Sequence, residues 1–405
     1  VAEERLALSL DVSAVPTQAA GAGHYTIELT KALAGRGDLD LVLVSRTADA
    51  ARWTSLSGTA RVEAVAPGPR PLRLAWEQVR LGALVGRLGR AVHHGPHYTM
   101  PERSSVPAVV TVHDLSFFTE PSWHERSKAV LFRRAIRVAS RRAAALVCPS
   151  QVTADDLARV ASPVGPVFVA HHGVDAERFS PSPPAGVSDA DRVAGLDGRL
   201  LPGRPTVVFV GTLEPRKDVP TLVRAFARVA GRHPDALLVL AGGRGWGADD
   251  VDRAVAATGL GARVVRLGYV DDDAVPALLR TATVVAYPAR YEGFGLPALE
   301  ALACGAPVVT TRGTAMAEVA AGAAVLVDPG DERQLADALD TGLTGGPTDE
   351  AAERRRQGLA VARGHTWAAS AARHVEAYRH AAGALGADTR SVRDPLGYGD
   401  RPCGP

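Results

Sequence analysis

Tyr291-Glu-Gly-Phe-Gly-Leu-Pro-Ala-Leu-Glu300, running on through Ala-Leu-Ala-Cys-Gly-Ala-Pro-Val-Val309, follows a β-branched and aromatic run at Thr283–Tyr287. The run predicts a buried strand, and the stretch after it predicts a loop that opens a helix. Gly293 and Gly295 permit a tight backbone approach, Pro297 suits the first helical turn, and Gly305 suits a C-cap before a strand at Val308–Thr311. Strand, glycine loop, helix, strand is the repeating unit of a parallel α/β domain. Backbone N–H groups at the start of such a helix bind phosphate. Glu292 stands in the loop and Glu300 about a turn inside the helix, with seven residues between them. One carboxylate therefore reaches ahead of a bound phosphate and the other behind it. A sugar nucleotide, with hydroxyls on both sides of its pyrophosphate, suits that spacing.

Composition sets the limits around this motif. A chain of 405 residues predicts two domains. Hydrophobic residues make up 46%, yet no apolar run reaches the roughly 18 residues that span a bilayer. No charged-then-apolar leader follows Val1, which argues against secretion and for the cytoplasm. Cys148, Cys304 and Cys403 have no metal-ligand spacing and read as reduced thiols. A net charge of +2 argues against nucleic acid as a partner. Of 46 lysines and arginines only Lys31, Lys128 and Lys217 are lysine. With abundant Ala, Gly, Pro and Val, this looks like GC-rich coding.

Two α/β halves follow from the alternation of apolar runs and amphipathic stretches. The first has strands at Leu6–Val12, Leu41–Ser45, Ala108–Val112, Ala145–Cys148 and Val167–Ala170, a helix from about Tyr25 to Ala34, and a long helix over Trp123–Arg142. The second opens with the strand Thr206–Val210 and alternates to about Val327. We place the N-terminal domain at 1–175, a Pro-rich interdomain linker at 176–205, and the C-terminal domain at 206–365. A closing helix at 366–385 has Trp367, Val375 and Tyr378 as anchors, and a tail follows at 386–405. In parallel sheets ligands bind at the carboxyl ends of the strands. The shared site is therefore the cleft between the halves.

Several segments are placed to line that cleft. Gly211-Thr-Leu-Glu-Pro-Arg-Lys-Asp218 follows a strand directly. Its Arg216 and Lys217 suit a pyrophosphate, the arginine gripping it bidentately and the lysine acting as a point charge. His113 ends the strand Ala108–Val112. Gly21-Ala-Gly23 precedes the first helix, and Gly268-Tyr-Val270 offers backbone to a nucleotide base through Tyr269 and Val270. Gly21-Ala-Gly23 and Gly242-Gly-Arg-Gly-Trp-Gly247 both fail the Gly-x-Gly-x-x-Gly fingerprint, which counts against a two-domain dehydrogenase. Asp271-Asp-Asp273 reads as the acidic start of a helix rather than a metal site. His93, His94 and His97 lack a Cys or carboxylate at ligand spacing and read as acceptor contacts or a plain loop. The helix over residues 125–142 carries Arg126, Lys128, Arg133, Arg134, Arg137, Arg141 and Arg142. A solvated face is its first reading, and a patch meeting anionic lipid its second.

The Glu-Gly-Phe-Gly-Leu-Pro frame with its second glutamate, His113-Asp-Leu-Ser-Phe, Gly211-Thr-Leu-Glu-Pro-Arg-Lys and Gly-Arg-Gly-Trp resemble, in order along nearly the whole chain, the retaining glycosyltransferases of family 4. The subgroup resembled is that of bacterial polysaccharide and O-antigen mannosyltransferases. The resemblance implies a GT-B fold, with two Rossmann-like domains whose parallel sheets face a central cleft. It implies catalytic roles for His113 and Glu292. Donor contacts would come from Gly21, Gly23, Gly211, Arg216, Lys217, Tyr269, Val270, Gly293, Phe294, Gly295, Leu296 and Glu300. No cofactor and no metal are implied. Thr212 stands where the commoner family pattern has an arginine, and Arg216 takes over that role. The implied reaction moves a hexose, mannose from GDP-mannose being the foremost candidate, onto a hydroxyl of a glycan or lipid-linked glycan at the inner face of the membrane. A UDP-sugar donor, a secondary-metabolite acceptor and a non-catalytic sugar-nucleotide-binding subunit stay open as alternatives.

Overall fold

Strands as uniformly apolar as Leu-Leu-Val-Leu-Ala (237–241) and Val-Val-Ala-Tyr (284–287) need cover on both faces, which parallel sheets flanked by helices provide. The computed structural model, which describes residues 5–19, 21–345 and 348–383, contains two such sheets. The first joins β1 (Leu6–Asp11), β2 (Leu39–Arg46), β3 (Arg61–Ala66), β4 (Val92–Gly95), β5 (Ala108–Thr111), β6 (Ala145–Cys148) and β7 (Val167–Val169) in the order β3-β2-β1-β4-β5-β6-β7. The second joins β8 (Thr206–Val210), β9 (Leu237–Ala241), β10 (Val264–Gly268), β11 (Val284–Tyr287), β12 (Val308–Thr311) and β13 (Val325–Val327) in the order β10-β9-β8-β11-β12-β13. Every described pairing is parallel. The order reverses between β1 and β4 and again between β8 and β11, so a crevice opens at those carboxyl ends. This is the GT-B arrangement. The tail predicted at 386–405 lies outside the described residues.

Several expectations are corrected. The helix expected from Tyr25 starts at Ala22, with Gly21 in its N-cap at φ 44°. Gly23 is thus buried in the first turn, not in a loop. The long basic helix begins at Arg126, because Glu125 and His124 are extended and Pro121–Trp123 forms a separate 3-10 turn. Its Phe132 turns inward against Tyr98 and Phe117, leaving Val130 as the exposed large hydrophobic residue of that helix. Arg134 pairs with Glu102 and Lys128 with Glu125. Asp271–Asp273 precedes a helix that begins only at Val275. The stretch 176–205 is more than a connection. It holds helix Asp189–Leu196, and Phe179, Val193 and Leu200 bury their side chains in the second core.

The chain crosses between halves at Gly173 and returns at Trp367, and the two crossings touch. Val174 N donates to His365 O at 3.0 Å, and a Cβ on Gly173 would collide with the Trp367 backbone. Helix Trp367–Ala381 then lies on the first sheet, with Val375 and Tyr378 buried in its core. There a buried polar chain replaces the expected acceptor role of His94. Tyr378 Oη meets His94 Nδ1 at 2.8 Å, and His94 Nε2 meets Thr111 Oγ1 at 2.8 Å. Tyr25 Oη bonds both Thr111 Oγ1 and His374 Nε2 at 2.8 Å. His93 is equally buried and bonds Ser9 Oγ at 2.9 Å. Burial pushes His93 and His374 down to about 4, so both are neutral at pH 7.

Removing one hydroxyl from this chain leaves a buried imidazole nitrogen unpaired. Tyr378→Phe should therefore lower unfolding free energy by about 1–3 kcal/mol in urea titration. An unchanged midpoint would show that the closing helix is held by apolar contact alone.

Candidate active site

The site is built from loops at the carboxyl ends of the second sheet. Gly211 follows β8 at φ 147°, and a Cβ there would come within 2.7 Å of Lys217 Nζ, so the glycine makes room for the ammonium. Gly242 follows β9 at the same φ, and a Cβ on it would strike the Gly211 carbonyl. Pro215–Lys217 forms a single 3-10 turn, ended by Asp218 in the left-handed region at φ 47°. Asp218 is held there by Arg290 Nε at 2.8 Å and Thr221 Oγ1 at 2.8 Å.

Arg216 spans two carboxylates. Its Nη1 lies 2.5 Å from Glu292 Oε2 and its Nε donates to Glu214 Oε2 at 2.8 Å. Burial alone would lower the guanidinium pKa, but Glu292, Glu214 and Asp114 outweigh burial and hold it charged, above its usual range. Lys217 lacks that surplus: burial and the neighbouring Arg216 bring its pKa below the usual lysine value.

The predicted motif loop leaves β11 and docks on the first half. A Cβ on Gly293 would overlap the His113 carbonyl oxygen, and Gly293 O accepts from Ser150 Oγ at 2.7 Å and Thr153 Oγ1 at 3.0 Å. Tyr291 Oη donates to Asp156 Oδ2 at 2.6 Å. Gly295, at φ 99°, is the N-cap of helix Leu296–Ala303, and no side chain caps that helix. Gly295, Leu296 and Pro297 line the cleft; Pro297 has no N–H and Ala298 N donates to Gly295 O, so Gly295 and Leu296 carry the N–H groups suited to an anion there. Glu300 is partly buried. Desolvation pushes it up to about 8, opposed by Arg178 and reinforced by Asp272.

From the other side His113 donates Nε2–H to Pro96 O at 2.7 Å. A carbonyl only accepts, so Nδ1 keeps a free lone pair. Burial brings this imidazole down to about 4, so it is neutral. The cleft encloses about 310 Å³ and brings together Gly21, His113, Gly211, Arg216, Lys217, Tyr269, Val270, Glu292, Gly293, Phe294, Gly295, Leu296 and Glu300. Gly23 does not line it. Tyr269 stands half-exposed at its rim, whereas Val270 is buried.

Sequence reasoning missed Tyr98, Asp114, His172 and Arg178, all of which line the cleft. Arg178 falls in the stretch read as a linker. His172 packs on Tyr25 and Phe294 at centroid distances of 4.7 and 4.6 Å. The one available signal is the His171-His-Gly-Val-Asp175 run, one residue after β7. Among the described residues no group of three or more His, Cys, Asp or Glu converges to hold a metal ion. None of the described helices is long and apolar enough to cross a membrane.

A family model described as Glycosyl transferases group 1 matches residues 198–358, and one described as Glycosyltransferase Family 4 matches residues 19–178. The chain is 30% identical over 294 residues to O-antigen chain mannosyltransferase B of Escherichia coli, covering 71% of this chain and 74% of the relative. It is 32% identical to the GDP-mannose-dependent alpha-(1-6)-phosphatidylinositol monomannoside mannosyltransferase of Mycolicibacterium smegmatis, over 52% of this chain and 54% of that one. Sucrose-phosphate synthase from Thermosynechococcus elongatus shares the fold at a TM-score of 0.76 and 23% identity, covering 94% of this chain and 100% of that one. Anabaena HepE in complex with UDP and glucose does so at 0.68 and 19%, covering 92% and 98%.

The raised Glu300 pKa has a signed consequence for stability. The folded protein holds this proton from pH 4.5 to about 8 while the unfolded chain releases it. Stability is therefore lost as pH rises through that window. Glu300→Gln should flatten the decline by about 1–3 kcal/mol between pH 5 and 8.5, measured by urea unfolding. Parallel curves for the two proteins would contradict the shift.

Proposed function

Because the chain belongs to glycosyltransferase family 4, we propose that its cleft binds a nucleotide sugar and transfers the hexose to an acceptor hydroxyl with retained anomeric configuration. The observation that carries this reading is the charged pair Arg216 and Lys217 beside an uncapped helix N-terminus, with Glu292 at 2.5 Å from Arg216. A diphosphate leaving group needs positive potential fixed in advance of bond cleavage. Arg216, Lys217 and the N–H groups at Gly295 and Leu296 supply it, so the reading needs no metal ion. Gly21 approaches the diphosphate from the first half. Glu292 accepts from sugar hydroxyls, Glu300 from the ribose, and His113 Nδ1 from a hydroxyl of the transferred sugar.

No nucleophile is assigned in this scheme. The acceptor oxygen attacks the anomeric carbon on the face the diphosphate leaves, the glycosidic C–O bond forms as the C–O bond to phosphate breaks, and the acceptor proton passes to the departing phosphate oxygen. The names of the two mannosyltransferase relatives favour mannose, and the second of them favours GDP-mannose as donor. An acceptor carried on lipid would bring the helix Arg126–Arg142, with Val130 exposed, to the inner membrane surface.

Thermal shift against a nucleotide-sugar panel should give its largest rise with GDP-mannose; a larger rise with a UDP-sugar would reverse the base assignment. On the donor so identified, Glu292→Gln should cut turnover at least about 100-fold with an unchanged melting midpoint. Turnover should persist in excess EDTA, and a loss restored by Mn²⁺ or Mg²⁺ would count against the metal-free scheme.

A further inference from the structure

The helix Gln151–Ala161 belongs to the first half, yet part of its N-terminus is satisfied by the second. Ser150, its N-cap, accepts from Thr153 N at 3.1 Å. The N–H groups of Gln151 and Val152 are left over by that cap, and both donate to one carboxylate, to Glu318 Oε1 at 2.8 Å and Oε2 at 2.9 Å. Glu318 stands on the helix Ala315–Ala320, which follows β12. His171, beside the crossing at Gly173, donates Nε2–H to Glu318 Oε1 at 2.9 Å. Burial works against the charge on Glu318, but His171 and the two backbone N–H groups outweigh it and hold the carboxyl below its usual pKa. The helices that begin at Asp189, Glu332, Asp349 and Trp367 are each capped by the residue just before them. A helix start in this chain therefore does not ordinarily need a carboxylate from 167 residues away.

The same helix turn carries the catalytic loop. Ser150 Oγ and Thr153 Oγ1 donate to Gly293 O, and Asp156 Oδ2 accepts from Tyr291 Oη. Glu292 lies between those two anchored residues and meets Arg216 Nη1 at 2.5 Å. The loop and Glu318 both belong to the second half and follow adjacent strands, β11 and β12. The helix is thus gripped at two points by one rigid sheet. With the Glu318 grip released, only the contacts at Tyr291 and Gly293 would tie this turn to the second half, and any swing of the helix about them would carry Glu292. Charge-assisted hydrogen bonds at a helix N-terminus are strong enough to set that orientation.

We propose that Glu318 is a positioning residue for the transfer, anchoring the helix Gln151–Ala161 so that the loop it holds aims Glu292 across the cleft. The proposal rests on the transferase reading above. Glu318 does not line the cleft, so its effect falls on turnover and not on donor binding.

The test follows release of GDP from GDP-mannose and of UDP from UDP-glucose by the full chain, with methyl α-mannoside present as acceptor. On whichever donor the chain uses, Glu318→Gln, whose amide oxygen replaces two carboxylate oxygens, should lower kcat about tenfold or more and leave the donor KM within about threefold. Gln151→Pro deletes one N–H that Glu318 receives. Proline suits the first helical position, and Ser150 is already extended at φ −150° and ψ 160°, as a residue before proline must be. This variant should lower kcat about threefold or more. Asp331→Ala removes a cap of the same chemistry, two N–H groups on a carboxylate, from the helix Glu332–Thr344. It should lower the melting midpoint and leave kcat unchanged. Hydrogen exchange on peptides covering 290–295 should quicken about tenfold in Glu318→Gln and not in Asp331→Ala. A kcat within about threefold of the parent in Glu318→Gln, or an equal fall in Asp331→Ala, would overturn the assignment. If Glu318→Gln does not fold, an unchanged kcat in Gln151→Pro overturns it. Turnover of neither donor by the parent chain, with the exchange difference intact, would instead strike the transferase reading and leave the anchor standing.

Discussion

The two halves meet at Gly293 with no room for a side chain, and the site depends on that contact. Because the His113 carbonyl fills the place a Cβ would take, the loop carrying Glu292 is positioned by the first half although it belongs to the second. Ser150 and Thr153 fix the Gly293 carbonyl, and Tyr291 reaches Asp156. Glu318 extends the same junction from further along the chain. Its carboxylate accepts from Gln151 N at 2.8 Å and Val152 N at 2.9 Å, capping a helix of the opposite half. A carboxylate at a helix N-terminus satisfies orphan N–H groups and meets the positive end of the dipole. The cleft walls are thus held by interactions that cross between the halves.

Within that frame Arg216 and Lys217 divide the work by shape. The planar guanidinium holds two carboxylates at once, with Glu292 on one edge and Glu214 on the other. The ammonium occupies the small volume that Gly211 leaves, which a planar fork would not fit. Interchanging these adjacent residues would keep the charge and lose both fits.

Much of the fold was legible because strand-forming runs here are short, β-branched and bounded by glycine. The placement of Arg216 and Lys217 just after a strand, of Glu292 in the loop after β11 and of Glu300 inside the helix that follows was legible from local spacing. What escaped was set by packing between distant segments. Gly23 looked like a loop residue because glycine disfavours helix interiors, yet its lack of a side chain lets the first turn pass close to Ala19, whose Cβ would lie only 3.1 Å from a Cβ placed on it. His94 looked like an acceptor contact or a loop residue because nothing local announces that Tyr378 arrives 284 residues later to bond it. Arg178 was hidden in Pro-rich sequence that reads as a spacer.

The closing helix has a bearing on how this molecule is made. Tyr25 bonds His374 across 349 positions, and Val375 and Tyr378 complete the core of the sheet that is translated first. On the ribosome the first helix can cover part of one apolar face of that sheet, but the part over β5–β7 waits for the closing helix until the second sheet has been synthesised. Loop closure over such a span is slow, and a bare face invites aggregation in the interval. The half that leaves the exit tunnel first is thus the last to be finished.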